Sequence, residues 1–161
     1  MIKNPSHLVD HLSGALEGNV QPNSIDLRIN EVFVIGSGLV LWEDGRRKLP
    51  EYTKIEPSDG WFTLSPTELY QVEFMESIQV PSGVCGITLL RSTMFKSGAS
   101  GESGLYDTGY RGGVGMTISV KHPVSIQQGA RVAQILFFEA QESSQYRGYY
   151  QDGYEFKETT R

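Results

Sequence analysis

Only one cysteine, Cys85, stands in the chain, so no intrachain disulfide can staple it. Its setting in Val84-Cys85-Gly86-Ile87 reads as a small buried hydrophobe rather than a nucleophile. Histidine is nearly as scarce, with three residues. His7 and His11 stand one helical turn apart, but no third ligand completes a zinc site. His122 precedes Pro123 at an apparent strand end, so no Ser/His/Asp constellation can be argued either. No apolar run approaches the about 18 residues of a membrane-spanning helix, and the opening Met1-Ile2-Lys3-Asn4-Pro5 lacks the apolar stretch of a secretion signal. These absences lead us to expect a soluble, cytoplasmic protein with no membrane partner. Basic residues are outnumbered, 14 Lys and Arg against 19 Asp and Glu, for a net charge of −5. That balance argues against a broadly basic nucleic-acid surface, and a charged partner is expected to be a small molecule held in a local basic pocket.

What the chain does have is turns. Eighteen glycines and seven prolines are scattered in short clusters through 161 residues, which favours one β-rich domain over long helices. Leu8, Leu12, Ala15 and Leu16 recur at helical spacing between Asn4 and Gly18, which predicts a short amphipathic helix over residues 4–17, capped by Asn4 or Ser6. Apolar runs follow at 25–29, 31–35, 39–42, 61–64, 68–75, 83–90, 114–120 and 131–139, each bounded by turn residues. Eight or more closely spaced strands point to an all-β sandwich or barrel. Gly36-Ser37-Gly38 reads as a turn and the glycines of 109–115 as a tight hairpin; neither opens a helix after a strand, as a phosphate-binding loop would. From Ser143 onward the sequence is polar and aromatic without a consistent apolar face, so residues 1–142 are expected to form the β domain and 143–161 a mobile C-terminal arm.

Chemistry-bearing residues gather at the strand ends. Asp26 follows Pro22-Asn23-Ser24-Ile25. Arg91, Ser92, Thr93 and Lys96 follow the run ending at Leu90, Asp107, Tyr110 and Arg111 lie between Gly104 and Gly113, and Arg131 and Gln134 open the last strand. Any one of these segments is ordinary turn and surface chemistry. Four in this order are not. The segments Gln21-Pro22-Asn23-Ser24-Ile25-Asp26-Leu27-Arg28, Arg91-Ser92-Thr93, Gly104-Leu105-Tyr106-Asp107-Thr108-Gly109-Tyr110-Arg111-Gly112 and Gly129-Ala130-Arg131-Val132-Ala133-Gln134 resemble the trimeric dUTPase and dCTP deaminase superfamily, over about residues 20–151.

The resemblance implies a distorted jelly-roll-like barrel in homotrimers, with sites between subunits. It implies that Asp107 activates the water attacking the α-phosphorus of a deoxypyrimidine triphosphate, most readily dUTP, and that Arg91, Ser92, Thr93 and Lys96 cradle the phosphates. Gly104, Leu105, Tyr106 and Arg111 belong to a hairpin whose main chain would meet the pyrimidine edge. Tyr110 would lie beneath the sugar, or merely pack in its turn. Gln134 would bond the water or a phosphate oxygen, and Arg147, Tyr150 and Gln151 would close over the substrate from the arm. Asp26 and Arg131 form a structural ion pair across a subunit boundary or touch the ligand directly. Magnesium is implied as an ion held by the triphosphate and water rather than by His or Cys ligands.

Two departures from the family pattern bear on activity. Ten residues after the aspartate, where deaminases carry a glutamate, the chain has Thr117, which cannot serve as general acid and base near neutral pH. The arm reads Tyr149-Tyr150-Gln151 where the family has Lys-Tyr-Gln, and Arg147 is the nearby cation that can replace the lysine. The expectation is therefore a dUTP diphosphatase on a deaminase-like scaffold. The alternatives are a dCTP deaminase or dCTP-hydrolysing variant and, from another class, a catalytically silent nucleotide-binding regulator.

Overall fold

The computed structural model describes residues 1–141 and 143–152. Twelve strands carry the described fold: β1 (Leu12–Ser13), β2 (Ile25–Ile35), β3 (Val40–Leu41), β4 (Arg47–Lys48), β5 (Tyr52–Ile55), β6 (Trp61–Leu64), β7 (Tyr70–Gln79), β8 (Val84–Leu90), β9 (Ala99–Glu102), β10 (Arg111–Val120), β11 (Val124–Gln127) and β12 (Arg131–Glu139). One single-turn helix, α1 (Ser92–Lys96), follows β8. The main sheet runs β8-β12-β2-β7-β10-β9, with β1 added to β7 and β5 to β2; β6 pairs with β11 and β3 with β4. The sheet curls into a nearly closed barrel of jelly-roll-like, all-β architecture.

Period-two alternation builds this barrel. In β7, Tyr70, Val72, Phe74 and Ile78 are buried between the less buried Gln71, Glu73, Met75 and Ser77. In β10, Val114, Met116, Ile118 and Val120 enter the same core, which leaves Gly113, Gly115 and Thr117 on the outer face. Glu76 breaks the pattern: it is buried, and Arg28 of β2 meets it with both its main-chain N–H (2.9 Å) and its guanidinium (2.8 Å). The pairing shifts register next to this residue, between Gly113 and Gly115 of β10, where three residues of β7 stand opposite Val114.

Several elements differ from expectation. Residues 4–17 form no α-helix but two 3-10 turns, Pro5–His7 and Val9–His11, followed by β1. Asn4 does cap the first turn, accepting from the Ser6 N–H at 3.0 Å. Leu12 pairs with Ile78 of β7, so the chain gains a strand's main-chain partners at the point where helical spacing would have continued. The two runs 25–29 and 31–35 are one strand, β2, whose register with β7 shifts around Asn30. Nor do the glycines of 109–115 make a tight hairpin. Residues 103–110 form an eight-residue loop between β9 and β10, and Gly112, Gly113 and Gly115 sit within β10 itself.

The described part of the arm, 143–152, is bonded across this loop. The Tyr146 N–H donates to the Thr108 carbonyl (2.8 Å), the Gln151 amide donates to the Gly109 carbonyl (3.0 Å), and the Asp152 N–H donates to the Arg111 carbonyl (2.8 Å). Residues 153–161 lie outside the described residues. Among the described residues no helix is long and apolar enough to cross a membrane.

Candidate functional site

The loop between β9 and β10 is held from both sides, and that fixes what its side chains can face. On the barrel side, Tyr106 exchanges two main-chain hydrogen bonds with Gly86 of β8 (2.8 and 2.9 Å), Tyr110 accepts from the Val80 N–H (2.8 Å), and Gly109 donates to the Val80 carbonyl (3.0 Å). Thr108 is buried and donates its hydroxyl to the Val84 carbonyl (2.6 Å). Gly109 takes a φ of +81°, the left-handed region open to glycine, as the chain turns from Asp107 to Tyr110. Val80, Gly86 and the arm thus engage main-chain groups of Tyr106, Thr108, Gly109 and Tyr110.

Two cavities flank the loop. The first encloses about 240 Å³ and is lined by Tyr52, Gln71, Glu73, Tyr106, Tyr110, Gly113, Gly115 and Tyr150. At its floor the Gln71 amide donates to Glu73 Oε1 at 2.8 Å. Burial, with the Glu31 carboxylate nearby, pushes the Glu73 carboxyl up to about 7, against the pull of that hydrogen bond. The Tyr106 hydroxyl donates to the Gly115 carbonyl (2.8 Å) and accepts from the Gly115 N–H (3.0 Å), and the Tyr110 hydroxyl donates to the Gly113 carbonyl (2.9 Å). Burial raises both phenols, Tyr110 to about 12, so both stay protonated as donors at neutral pH.

The second cavity, about 480 Å³, opens between loop and arm and is lined by Asp107, Arg147, Leu105 and Thr108 together with Cys85 and residues 140–146 of the descending chain except the undescribed 142. Asp107 is exposed there, and among the described residues no ion pair occupies its carboxylate. Arg111 is turned outward, its Nε donating to Asp152 at 2.6 Å. Gln151 also accepts from the Arg111 N–H (3.2 Å), and Arg47 of β4 stacks on Tyr149 at 4.8 Å.

The remaining sequence-predicted residues form a separate group at the other end of β8. Asp26, fully buried, lies 3.2 Å from Arg91 Nε and 3.3 Å from Arg131. Burial pushes its carboxyl above the ordinary range, and the two guanidinium groups oppose that shift. The Asp26–Arg131 pair is made within one chain. Arg91 joins it at the end of β8, where Leu90 pairs with Ala133 and the Arg91 N–H donates to the Val132 carbonyl at 3.0 Å. Gln134 accepts from the Ser24 hydroxyl at 2.9 Å. Ser92, Thr93 and Lys96 are exposed on α1, and none of the group lines either cavity.

Comparison with known proteins settles what this arrangement belongs to. The model of dCTP deaminase-like proteins matches residues 6–140. The chain belongs to the dCTP deaminase-like family. Curated relatives of this member include the probable deoxyuridine 5'-triphosphate nucleotidohydrolase of Methanopyrus kandleri, 34% identical over 137 residues, covering 83% of this chain and 88% of the relative. The deoxyuridine 5'-triphosphate nucleotidohydrolase of Methanocaldococcus jannaschii is 33% identical over the same shares. Among solved structures, the 2'-deoxycytidine 5'-triphosphate deaminase of Agrobacterium tumefaciens shares the fold, with a TM-score of 0.62 at 20% identity; it covers 80% of this chain, which spans only 42% of that longer one. Thr117 of β10 donates its hydroxyl to the Glu102 carbonyl at 3.4 Å, and its register partners are Gln71 and Glu102.

Proposed function

We propose that this protein is a dUTP diphosphatase, cleaving dUTP to dUMP and pyrophosphate. Relatives named for that activity at 33–34% identity support the reading, and the observation that carries it over deamination is the threonine at position 117. In this reading the exposed Asp107 takes a proton from a water whose oxygen attacks the α-phosphorus. The bond from that phosphorus to the bridging oxygen breaks, and pyrophosphate leaves with the bond's electron pair. Arg147, beside Asp107 in the same cavity, supplies positive charge toward the phosphates. Tyr106 and Tyr110, with ring centroids 5.6 Å apart, give the neighbouring cavity flat faces for a base and a sugar. The arm from residue 143 acts as a lid that excludes water while the bond breaks.

Arg91, Ser92, Thr93, Lys96 and Gln134 reach a substrate only as another subunit's contribution, since they lie apart from both cavities of their own chain. Exposed Leu89 and Phe95 beside them give a second copy an apolar surface to cover. We therefore infer a homotrimer with shared sites, working on free deoxynucleotides in the cytoplasm. Magnesium fits this donor set as an ion brought by the triphosphate. The described residues gather no cluster of three or more His, Cys, Asp or Glu side chains, and a small hard cation keeps most of its water and binds substrate phosphates. When bound it would spread the phosphate charge, and Asp107, an exposed carboxylate of the loop, would be open to one of its waters.

A second reading, dCTP deaminase, is favoured by one observation: Glu73 brings a carboxyl that titrates near neutrality to the floor of the tyrosine-lined cavity, the kind of group proton traffic at C4 of cytosine requires. Turnover of dUTP in ¹⁸O-water tests the primary reading. Label in the dUMP phosphate supports attack at the α-phosphorus, and label in pyrophosphate contradicts it. No turnover contradicts it too, and leaves the deaminase and the silent regulator to be separated by ammonia release from dCTP.

A further inference from the structure

The tyrosine-lined cavity has an unusual floor. The obvious readers of a planar polar ring there, the N–H and carbonyl of Gly115, are both taken by the Tyr106 hydroxyl, and the Gly113 carbonyl by Tyr110. What remains on the floor is the Gln71–Glu73 pair of β7. Glu73 fits there because β10 presents glycines, Gly113 and Gly115, where it faces this carboxyl. A Cβ on Gly115 would come within 2.6 Å of Glu73 Oε1 and 2.8 Å of the Gln71 amide, while Gly113 leaves 3.5 Å to Glu73 Oε2. Register places Gly115 directly opposite Glu73. The glycine-rich β10 is therefore a recess shaped to hold this carboxyl.

Among the described residues no ion pair reaches the Glu73 carboxyl. Glu31, its register partner on β2, adds negative charge and is itself held by Lys54 of β5 at 2.6 Å. Tyr52 of β5, Tyr106 and Tyr110 of the loop and Tyr150 of the arm bring phenols, and β10 brings only backbone. Among the described residues Gln71 is the one side chain hydrogen-bonded to the carboxyl.

We propose that Glu73, steadied by Gln71, is a base-recognition residue that pairs with the polar edge of the pyrimidine in this cavity. The inference rests on the proposed function, which puts the base there. A neutral carboxyl presents one donor and one acceptor side by side, matching O4 and N3–H of uracil: the acid O–H donates to O4 and its carbonyl accepts from N3–H. Ionised, it accepts only, and sets a negative oxygen against O4. Since burial holds the group near 7, the binding-competent neutral form falls from most of the population at pH 6 to about a tenth at pH 8.

The test is the pH profile of the KM for dUTP in the full-length protein, beside E73Q and E73A. In the wild type KM should rise about tenfold from pH 6 to pH 8 with kcat following a separate profile. E73Q should flatten the KM profile, because its amide keeps a donor and an acceptor at every pH. E73A should raise KM at pH 6 by about tenfold or more through the loss of two hydrogen bonds. Parallel profiles for wild type and E73Q, or an unchanged KM in E73A, would overturn the assignment while leaving the diphosphatase standing. If no dUTP is turned over, the diphosphatase reading itself fails. The same three profiles, taken as dUMP affinity by calorimetry, then decide on Glu73, and no dUMP binding overturns both.

Discussion

Asp107 reaches solvent in a cavity shared with Arg147, and the proposed hydrolysis asks it for one act, accepting a proton from water. Asp107→Asn keeps the side chain's size and hydrogen-bonding reach and removes that act, so turnover of dUTP should fall by about two to four powers of ten with nucleotide binding and assembly intact. Steady-state kinetics beside light scattering check this. Glu73 makes a second prediction through stability. Its carboxyl is raised from the ordinary 4.5 to about 7 in the folded chain, so between those values the folded state binds more protons than the unfolded one. Relative to E73Q, the protein should be most stable below about pH 4.5, lose stability as pH rises through about 7, and level off above, as read by denaturant titration at several pH values. Asp107 and Tyr110 are named through the family resemblance and Arg147 as a stand-in for the arm's missing lysine, and each lines one of the two cavities. Gln71 and Glu73 are not legible in the sequence: polar residues alternating along a strand look like a wet face, and only the register against the bare backbone of Gly115 turns them into a cavity floor.

At the scale of elements, the arm and β10 carry the site. Removing the arm from residue 143 onward takes away the partners of Thr108, Gly109 and Arg111 while leaving the barrel core untouched. We expect orders of magnitude lower turnover with an unchanged circular-dichroism spectrum; unchanged kinetics would remove the lid role. In β10, Gly115→Ala puts a methyl 2.6 Å from Glu73 Oε1 and 2.8 Å from the Val72 carbonyl. It should cost about 1–3 kcal/mol of stability, since the backbone of β7 cannot turn aside as a flexible side chain would. Legibility among the elements followed length and alternation. The runs at 61–64 and 131–139 coincide with β6 and β12. The strands β4, β5, β9 and β11, of two to four residues, are too short or too polar for a pattern to form. The N-terminal segment misled because Leu8 and Leu12 are buried at a helical spacing that 3-10 turns leading into a strand satisfy equally.

For the whole molecule, the cavities with Asp107 and Glu73 lie apart from the group of Arg91, Lys96 and Gln134, and the proposed trimer would reunite what one chain separates. Light scattering should return three times the chain's 17.9 kDa, and a monomer at micromolar concentration, with or without nucleotide, would contradict the shared site. On the proposed reading a chain on a deaminase-like scaffold hydrolyses rather than deaminates because Asp107 is present and Thr117 stands where the resemblance puts the deaminase glutamate. The measurement that tests this most directly is a parallel incubation with dUTP and with dCTP in magnesium, reading pyrophosphate and ammonia from each. The account predicts pyrophosphate from dUTP and no ammonia from dCTP; ammonia from dCTP at a rate comparable with pyrophosphate from dUTP would contradict it.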